Sequence, residues 1–467
     1  MKNIKFKFIG VLILAVLVLG SCKKWIDTGI NVNPDAPTDV PMSSLLPAIQ
    51  ANMAYNLQGG NDLTRVTSIW MQYFQGVGRQ SQGEANYIWH DGDVDNLWNT
   101  TYATVMNDLV ILTNKAVTSN NKTFMGISDV LMALSLGPIT DVFGDIPYTE
   151  AFQGMSNLNP AFNSQQEIYD TIISRLNHAI VCLSDPKAVI IHGDIMYGGD
   201  PSLWLKAAYG LKARYILHTC KVNTNAYTDA LAAVKQSLTD VSEDLSFQFY
   251  DGSGYQNPFY QFMIQRGGDM TMHKTFTDML ILRVDPRLHV FVSPVDTIWD
   301  GADWGSTGEN ASTPGPAVNS GSSAVPFFTY AECLFIKAEC EYKTLAPDAD
   351  VRTDLVNGLK ASLNQYGVYS DAYVAAYEAA TSTFTGDALY KEVMVQKYIA
   401  LYDQLESYND WRRTDNAIGL KANPTSAAQE TEIPRRFPYS LGEKSYNSNT
   451  PKNVTIIDRV WWDKKAK

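Results

Sequence analysis

The residue of this sequence best placed for covalent chemistry is Cys22, at the end of an N-terminal apolar segment. Three lysines stand within the first seven residues, positions 9–19 are apolar apart from one glycine, and Leu19-Gly20-Ser21-Cys22 follows. A basic start, a short apolar core and small residues before a cut site are typical of a secretory signal. A cysteine directly after two small residues indicates the lipobox of bacterial lipoproteins, in which the thiol is acylated. We therefore predict a signal peptide over residues 1–21 and lipidation of Cys22.

Two other interpretations of this segment remain open at the level of sequence. It is also compatible with an ordinary signal peptide that carries an incidental cysteine, or with a single N-terminal anchor helix. If Cys22 is acylated, each buried CH₂ contributes about 0.8 kcal/mol, so that several acyl chains would hold the protein on a membrane. Residues 22–41 are rich in Pro, Asn and Asp, and we predict that they form an extended tether outside the cytoplasm.

Motifs of enzymatic chemistry are absent from the sequence. There is no H-E-x-x-H, no G-x-S-x-G, no phosphate-binding P-loop and no G-x-G-x-x-G, and the six histidines are scattered. Asp91-Gly92-Asp93-Val94-Asp95 resembles the start of a calcium loop, but Asn96 replaces the glycine of the tight turn and Tyr102 replaces the bidentate glutamate. We predict a non-enzymatic protein without bound metal or cofactor. A glycoside hydrolase remains the enzymatic alternative, because acidic pairs are available in any chain of this composition.

The overall charge excludes one class of partner. Loss of the signal peptide moves the formal net charge from −12 to −15, whereas proteins that bind nucleic acid present a basic face. Beyond the N-terminus we expect no membrane span. Four cysteines remain after Cys22, without metal-ligand spacing. Buried free thiols are the favoured interpretation, and a bridge between Cys182 and Cys220 is left open.

Apolar residues recur at helical spacing along most of the chain, which predicts a mainly α protein. Paired helices about 30–45 residues apart suggest tetratricopeptide-like helix pairs in an α/α superhelical scaffold with a loop-rich second lobe. Residues 42–467 are expected to form this domain. We predict that Gly137-Pro138 ends a helix begun at Lys122, that 76–86 is a loop, and that one helix spans 387–406. The predicted helices are 43–53, 62–74, 95–117, 122–136, 165–183, 201–219, 227–238, 274–282, 330–342, 352–366, 371–380 and 387–406.

Several motifs along the mature chain together resemble one family. They are Ile30-Asn31-Val32-Asn33-Pro34, Gly144-Asp145-Ile146-Pro147-Tyr148, Tyr197-Gly198-Gly199-Asp200, Tyr330-Ala331-Glu332, Trp411-Arg412-Arg413, Arg435-Arg436-Phe437-Pro438-Tyr439 and Arg459-Val460-Trp461-Trp462-Asp463. Their order and spacing resemble the SusD/RagB outer-membrane lipoproteins of Bacteroidetes. This resemblance implies a helical, tetratricopeptide-type scaffold on the cell surface, anchored to the outer membrane by its N-terminal lipid. It also implies capture of an oligosaccharide, or of a peptide in RagB-type members, and delivery to a SusC-like TonB-dependent β-barrel transporter.

The resemblance also places the ligand contacts in two loops, Arg79 to Trp98 and Trp299 to Ser323. Aromatic rings in exposed loops stack on the apolar faces of sugars, and polar side chains bond to hydroxyl groups. An alternative for Trp89 and Trp299 is that they anchor their loops to the core. The predicted stacking residues are Trp304, Trp299 and Trp89, and the predicted hydrogen-bonding residues are Arg79, Asn86, Asp300 and Asp303.

Overall fold

Helices make up most of the protein in the computed structural model, which describes residues 39–252, 254–426 and 432–464. The predicted signal peptide, Cys22 and nearly all of the predicted tether lie outside the described residues. The described helices are α1 Met42–Asn52, α2 Thr64–Trp70, α3 Arg79–Ala85, α4 Asp95–Thr100, α5 Asn107–Thr118, α6 Lys122–Phe143, α7 Gln165–Leu183, α8 Pro201–His218, α9 Ala226–Val234, α10 Pro258–Gln265, α11 Lys274–Leu282, α12 Leu288–Phe291, α13 Tyr330–Lys343, α14 Asp348–Gln365, α15 Asp371–Thr381, α16 Gly386–Ala400, α17 Leu405–Arg413 and α18 Leu441–Tyr446.

The strands in this part of the chain are short and form antiparallel pairs. They are β1 Phe74–Gly76 with β5 Met270–Met272, β2 Ile146–Pro147 with β3 Phe162–Asn163, β4 Leu245–Phe247 with β8 Val325–Phe328, and β6 Val292–Ser293 with β7 Thr313–Pro314. Each pair fastens one loop to another. They do not form a sheet layer, which agrees with the predicted mainly α class.

Consecutive helices pack against one another in a stack. Helix α6 packs on α7, α7 on α8, α8 on α9, α9 on α13, and α13 on both α14 and α16. The ends of these helices are set by capping side chains: Ser164 and Glu167 form a capping box at α7, and Thr329 caps α13. This arrangement confirms the predicted tetratricopeptide-like helix pairs, and the loops between α9 and α13 form the loop-rich part.

The predicted end of a helix at Gly137-Pro138 is wrong, because α6 continues through both residues to Phe143. Proline deprives the carbonyl four residues earlier of its partner, and here the side chain of Gln58 donates to the Leu134 carbonyl at 3.4 Å. Gly137 is required by close packing, since a Cβ there would lie 2.2 Å from Tyr215 Oη. Helix α6 is long and apolar enough to cross a membrane, but 94% of its most apolar stretch is buried within the protein.

The single helix predicted over 387–406 is also wrong. The structure has two helices there, α16 and α17, separated by a turn in which Asp403 has a φ of +54°. The Asp403 carboxylate accepts a hydrogen bond from Ser68 Oγ at 2.8 Å, which fixes the turn against α2. A residue in this left-handed conformation ends a helix, and aspartate tolerates it better than most residues.

Every residue of α17 is buried, including its charged ones. The Arg413 guanidinium donates to both carboxylate oxygens of Glu339 on α13 at 2.5 Å, and to Asp410 on its own helix at 2.7 Å. Lys397 on α16 lies 2.9 Å from Asp410. This cluster of Glu339, Lys397, Asp410 and Arg413 joins three helices through ion pairs that are closed to water.

A second acid of α17 extends the network to α8. Glu406 Oε1 lies 2.6 Å from His218 Nε2, and Arg214 of α8 lies within 3.8 Å of the same carboxylate. Burial by itself would raise the pKa of Glu406, but its contacts with His218 and Arg214 hold that pKa well below its ordinary value. The carboxylate is therefore charged in the folded protein at all ordinary pH values.

We predict that Arg413→Met lowers the free energy of unfolding by about 3–5 kcal/mol, because it leaves a buried carboxylate without its main partner. Glu339→Gln combined with Arg413→Met should restore part of that stability, since no unpaired charge then remains on Glu339. The measurement is guanidinium unfolding. Lys360→Ala, which breaks the exposed pair with Glu378, is the control and should change stability by less than about 1 kcal/mol. An equally small effect of Arg413→Met would contradict the role given to the cluster.

Two further acids, Asp244 and Asp403, are half-buried and border one cavity of about 510 Å³ between the helical stack and the loops. Burial raises the pKa of each to about 7. Asp244 accepts a hydrogen bond from the Tyr330 N–H at 2.7 Å. This bond lowers the pKa of Asp244, but the effect of burial is larger. A carboxyl with a raised pKa in the folded state holds its proton more tightly than the unfolded chain does. Its contribution to stability is present at low pH and is lost as the pH rises through about 7.

Asp403→Asn should therefore remove part of the pH dependence of stability. Between pH 5.5 and 8 the wild-type protein should lose about 2 kcal/mol more unfolding free energy than the variant, since one pKa unit corresponds to about 1.4 kcal/mol. Denaturant unfolding at both pH values measures the difference. Asp170→Asn on the exposed surface of α7 is the control and should parallel the wild type. A variant whose stability falls with pH as steeply as the wild type would disprove the assignment.

The four cysteines of the folded domain are free thiols, so that the bridge between Cys182 and Cys220 is not formed. Cys182, Cys333 and Cys340 are buried. Burial raises the pKa of the Cys333 and Cys340 thiols far above their ordinary value, which makes them poor nucleophiles. They act as small apolar residues of the core.

Candidate ligand-binding site in the loops around β1 and β5

The pairing of β1 with β5 brings the two predicted ligand loops to one place. The chain continues past β1 with the Val77 N–H bonded to the Asp269 carbonyl at 2.8 Å, and α3 follows directly. On the other side of β5, the Ala302 N–H donates to the Met272 carbonyl at 2.8 Å, and the Lys274 N–H donates to the Ala302 carbonyl at 2.9 Å. The loop that carries Trp304 is thus attached to β5 by backbone hydrogen bonds.

Trp304 lies half-buried on this loop, against the buried ring of His273. The ring centroids are 4.3 Å apart and the planes meet at 68°, an edge-to-face contact. Burial lowers the pKa of His273 to about 3, so that the imidazole beneath Trp304 is neutral at physiological pH. The Asp303 carboxylate accepts the backbone N–H of Trp304 at 2.8 Å and is itself exposed. The contact with His273 holds one side of the indole, while part of the ring stays open to solvent.

Arg79 is at the start of α3, within the segment predicted to be a loop; that prediction is wrong. Its Nε donates to Asp269 at 2.5 Å and its Nη2 donates to the Gly267 carbonyl at 3.2 Å. Its side chain remains 56% exposed. Arg79 therefore fastens α3 to the turn before β5 and still presents part of its guanidinium to solvent.

Asn86, at the end of α3, contacts a segment that sequence reasoning missed. Asn423 Nδ2 donates to the Ala85 carbonyl at 2.8 Å and to Asn86 Oδ1 at 3.2 Å. Two residues later Thr425 approaches the Trp304 loop, where a Cβ at Gly305 would lie 3.3 Å from Thr425 Oγ1. Residues 423–425 therefore lie between Asn86 and Trp304. The Asn-Pro-Thr sequence signals a turn, but nothing in it indicates that this turn reaches the site.

The other three predicted residues are placed differently. Trp89 is only 5% exposed and its ring packs against Phe437, with centroids 5.6 Å apart. Too little of this ring is exposed for a sugar to stack on it, so the anchoring alternative describes Trp89 and we leave it out of the candidate site. Trp299 is half-buried with its edge against His289. Asp300 is exposed and pairs with Lys274 at 2.8 Å.

A cavity of about 530 Å³ opens beside the Trp304 loop, between α10, the β1–β5 pair and residues 307–313. Gly308 allows the loop to lie close to β1: its φ is +71°, and a Cβ there would lie 2.9 Å from Val77 Cγ1. Both apolar and polar residues line this cavity, among them Val77, Tyr260, Met263, Thr271, Glu309 and Asn310. Helix α10 is not among the helices predicted from the sequence.

The site has the chemistry of a binding surface. Trp304 supplies an amphipathic ring, and Arg79, Asn86 and Asp303 supply charged and amide groups around it. Within residues 39–252, 254–426 and 432–464, no group of three or more His, Cys, Asp or Glu side chains is arranged to hold a metal ion. Trp299 and Asp300 extend the same loop toward α11 and α12.

Comparison with known proteins identifies the fold. A solved SusD/RagB family protein from Bacteroides thetaiotaomicron superimposes with a TM-score of 0.79 at 24% identity, covering 92% of this chain and all of that one. A SusD homologue from Bacteroides fragilis gives 0.76 at 19% identity, covering 91% and 100% of the two chains. A chitin-binding SusD homologue from Flavobacterium johnsoniae gives 0.76 at 21%, covering 90% and 98%.

At the level of sequence, no curated protein matches this chain. A profile of the SusD-like family, described as starch-binding and associating with the outer membrane, matches residues 34–440. This match includes nearly all of the helical stack and every loop of the candidate site. The chain therefore belongs to the SusD-like family.

Proposed function

We propose that this protein is a non-catalytic lipoprotein that captures oligosaccharides at the outer membrane and passes them to a SusC-like TonB-dependent transporter. The observation that carries this proposal is the partly exposed Trp304 on its backbone-anchored loop, beside a cavity of about 530 Å³. The cavity is large enough for one or two sugar rings, and a ligand that extends from it would pass over the indole.

The side chains of the site match the chemistry of a sugar. One face of a pyranose ring presents C–H groups that pack on an aromatic ring, while its hydroxyl groups need charged or amide partners at the edge. Trp304 provides the aromatic ring, and Asp303 and Asn310 of the same loop provide the charged and amide partners for the hydroxyl groups. A surface of this kind can bind a sugar without a nucleophile or a metal, and its acids Asp300 and Asp303 are exposed to solvent.

Two findings support a carbohydrate and an outer-membrane location. The family description names starch and the outer membrane, and one structural relative is named for binding chitin. Starch and chitin both consist of pyranose rings with uncharged hydroxyl groups, although their linkages and substituents differ. Their oligosaccharides are therefore the first ligands to test, with peptides as the alternative suggested by RagB-type relatives.

We predict that Trp304→Ala weakens binding of maltooligosaccharides or chitooligosaccharides at least tenfold, which corresponds to the loss of about 1.4 kcal/mol. Trp304→Phe should retain part of the affinity, because a smaller ring still covers one sugar face. Isothermal titration calorimetry of the purified proteins provides the measurement. Tyr446→Ala, at an 84% exposed position on α18, is the control. Unchanged affinity of Trp304→Ala for every ligand that the wild type binds would remove Trp304 from the site.

The same incubations distinguish capture from catalysis. Mass spectrometry of each oligosaccharide should show its length unchanged after prolonged contact with the protein. Shorter products that form with the wild type would favour the glycoside hydrolase alternative. Tight binding of peptides without any binding of sugars would instead favour a RagB-type function.

For the N-terminus we predict that Cys22→Ala abolishes incorporation of labelled fatty acid and releases the protein from the membrane fraction. The thiol is the proposed acceptor of the acyl chains, so its loss removes the whole anchor. Cys220→Ser is a matched control and should leave both labelling and fractionation unchanged. If the Cys22→Ala protein remains in the membrane fraction, the N-terminal segment acts as an uncleaved anchor helix.

A further inference from the structure

A further hollow in the protein is lined by tyrosines, amides and apolar side chains. It has a volume of about 530 Å³ and lies between the end of α1, the π-helical segment Met53–Gln58 that continues α1, and the loop after β4. None of the residues predicted to bind ligand belongs to it. Its principal lining residues are Asn52, Tyr55, Asn56, Gln248, Tyr250 and Tyr255.

Three aromatic rings at this hollow are exposed to an unusual degree. Tyr55 is 40% exposed, Tyr250 64% and Tyr255 71%. The Tyr55 hydroxyl donates to Gln261 Oε1 at 2.6 Å. The hydroxyl groups of Tyr250 and Tyr255 have no hydrogen-bond partner among the residues that the structure describes. Large apolar side chains in solvent cost free energy unless something covers them, and these three border the same hollow.

The tyrosines are held in position by the loop that carries them. The Tyr250 N–H donates to the Tyr255 carbonyl at 3.0 Å and closes the turn. Before the turn, Phe249 is buried and packs on Phe247 with centroids 4.9 Å apart. Gln248 Nε2 donates to the Ser322 carbonyl at 2.6 Å. These contacts hold the base of the loop against the core, so that the tyrosine rings are presented outward.

The lining is electrically neutral although the protein is strongly acidic. No Asp, Glu, Lys, Arg or His is among the residues that line the hollow, whereas the chain has a net charge of −12. A charged ligand would find no counterion there. Aromatic faces combined with amide groups suit an uncharged ligand that is apolar on one face and hydroxylated at its edge, which is the chemistry of a neutral sugar.

The position of the hollow relates it to the first site. Helix α10 contacts both: Tyr260 and Met263 line the cavity beside the Trp304 loop, and Gln261 binds Tyr55 at the edge of the tyrosine hollow. An α-helix with its side chains is about 10–12 Å across, roughly the length of two or three sugar units. A linear oligosaccharide of modest length can therefore span from one side of α10 to the other.

We propose that the hollow of Tyr55, Tyr250 and Tyr255 is a second binding site for neutral glycan, which engages long chains whose other end lies at the Trp304 site. The ligand class rests on the proposed function, but the site is physically separate. Engagement of two sites by one molecule raises affinity without any change at either site, because the second contact becomes intramolecular. Short oligosaccharides cannot reach both and gain nothing from the second site.

The test compares chain lengths of maltooligosaccharides and chitooligosaccharides, from the disaccharide to the heptasaccharide, by isothermal titration calorimetry on the full-length protein. Tyr250→Ala combined with Tyr255→Ala should weaken binding of the heptasaccharide at least tenfold and leave the affinity of the shortest ligand that binds unchanged. Trp304→Ala should weaken both. Tyr446→Ala is the matched control, since it also removes one exposed tyrosine. Thermal unfolding confirms that each variant is folded.

The outcomes separate this proposal from the proposed function. If Trp304→Ala weakens binding and the double tyrosine variant binds every chain length as the wild type does, the second site is wrong and the first stands. If only the tyrosine variant loses affinity, glycan binding belongs to the tyrosine hollow, and the Trp304 site is wrong. Absence of any sugar binding by the wild type, or binding of a protein at the tyrosines, overturns the proposal.

Discussion

The ion pairs of α17 are the interactions on which the rest of the structure depends. A nine-residue helix that contains two acids and two arginines, with an average composition far from apolar, is buried on all sides. Three of its four charges have an ionic partner on another element: Arg413 on α13, Asp410 on α16 and Glu406 on α8. Burying a single charge without a partner costs several kcal/mol, so these helices are stable only in one relative arrangement. The cluster therefore specifies how the helical stack fits together, more than it adds to the total stability.

The C-terminal segment completes this centre. The Arg412 guanidinium donates to the Asp141 carbonyl at 2.6 Å and to the Arg435 carbonyl at 2.8 Å, and it lies over the ring of Trp462. Trp462 in turn donates its indole N–H to the Asp141 carboxylate at 3.1 Å. Residues far apart in the sequence are thus joined around α6 and α17. Three of the seven motifs that resembled the family contribute these structural residues, which explains why such motifs identify the fold without identifying a ligand.

The sequence predicted those parts of the fold whose signals are local. Helices α7 and α11 have the predicted bounds, because capping residues and apolar spacing are visible in a short window. The predicted helix bounds are wrong where a residue distant in the sequence determines where a helix ends. Gln58 donates to the Leu134 carbonyl and Tyr215 packs against Gly137, and α6 continues past Gly137-Pro138. Ser68 donates to Asp403 and fixes the turn between α16 and α17.

The candidate site shows the same limit. The family resemblance predicted Trp304, Arg79 and Asn86 as ligand contacts, and the structure places all three around one strand pair. The Asn423 contact and the cavity beside α10 join segments hundreds of residues apart, and no local pattern encodes such contacts. The burial of Trp89 likewise depends on Phe437, which is distant in sequence.

The way the Trp304 loop is attached has a consequence for how such proteins diversify. Its bonds to β5 and to the start of α11 join Ala302 to Met272 and Lys274 through backbone atoms, and backbone groups are the same whatever side chain a residue carries. Mutation can therefore replace side chains of the candidate site while the loop keeps its register on the strand. Evolution of a new ligand preference requires only new side chains on an unchanged frame. The side chains of such a surface can change as the nutrient changes. The buried ion pairs, which tolerate almost no substitution, preserve the fold.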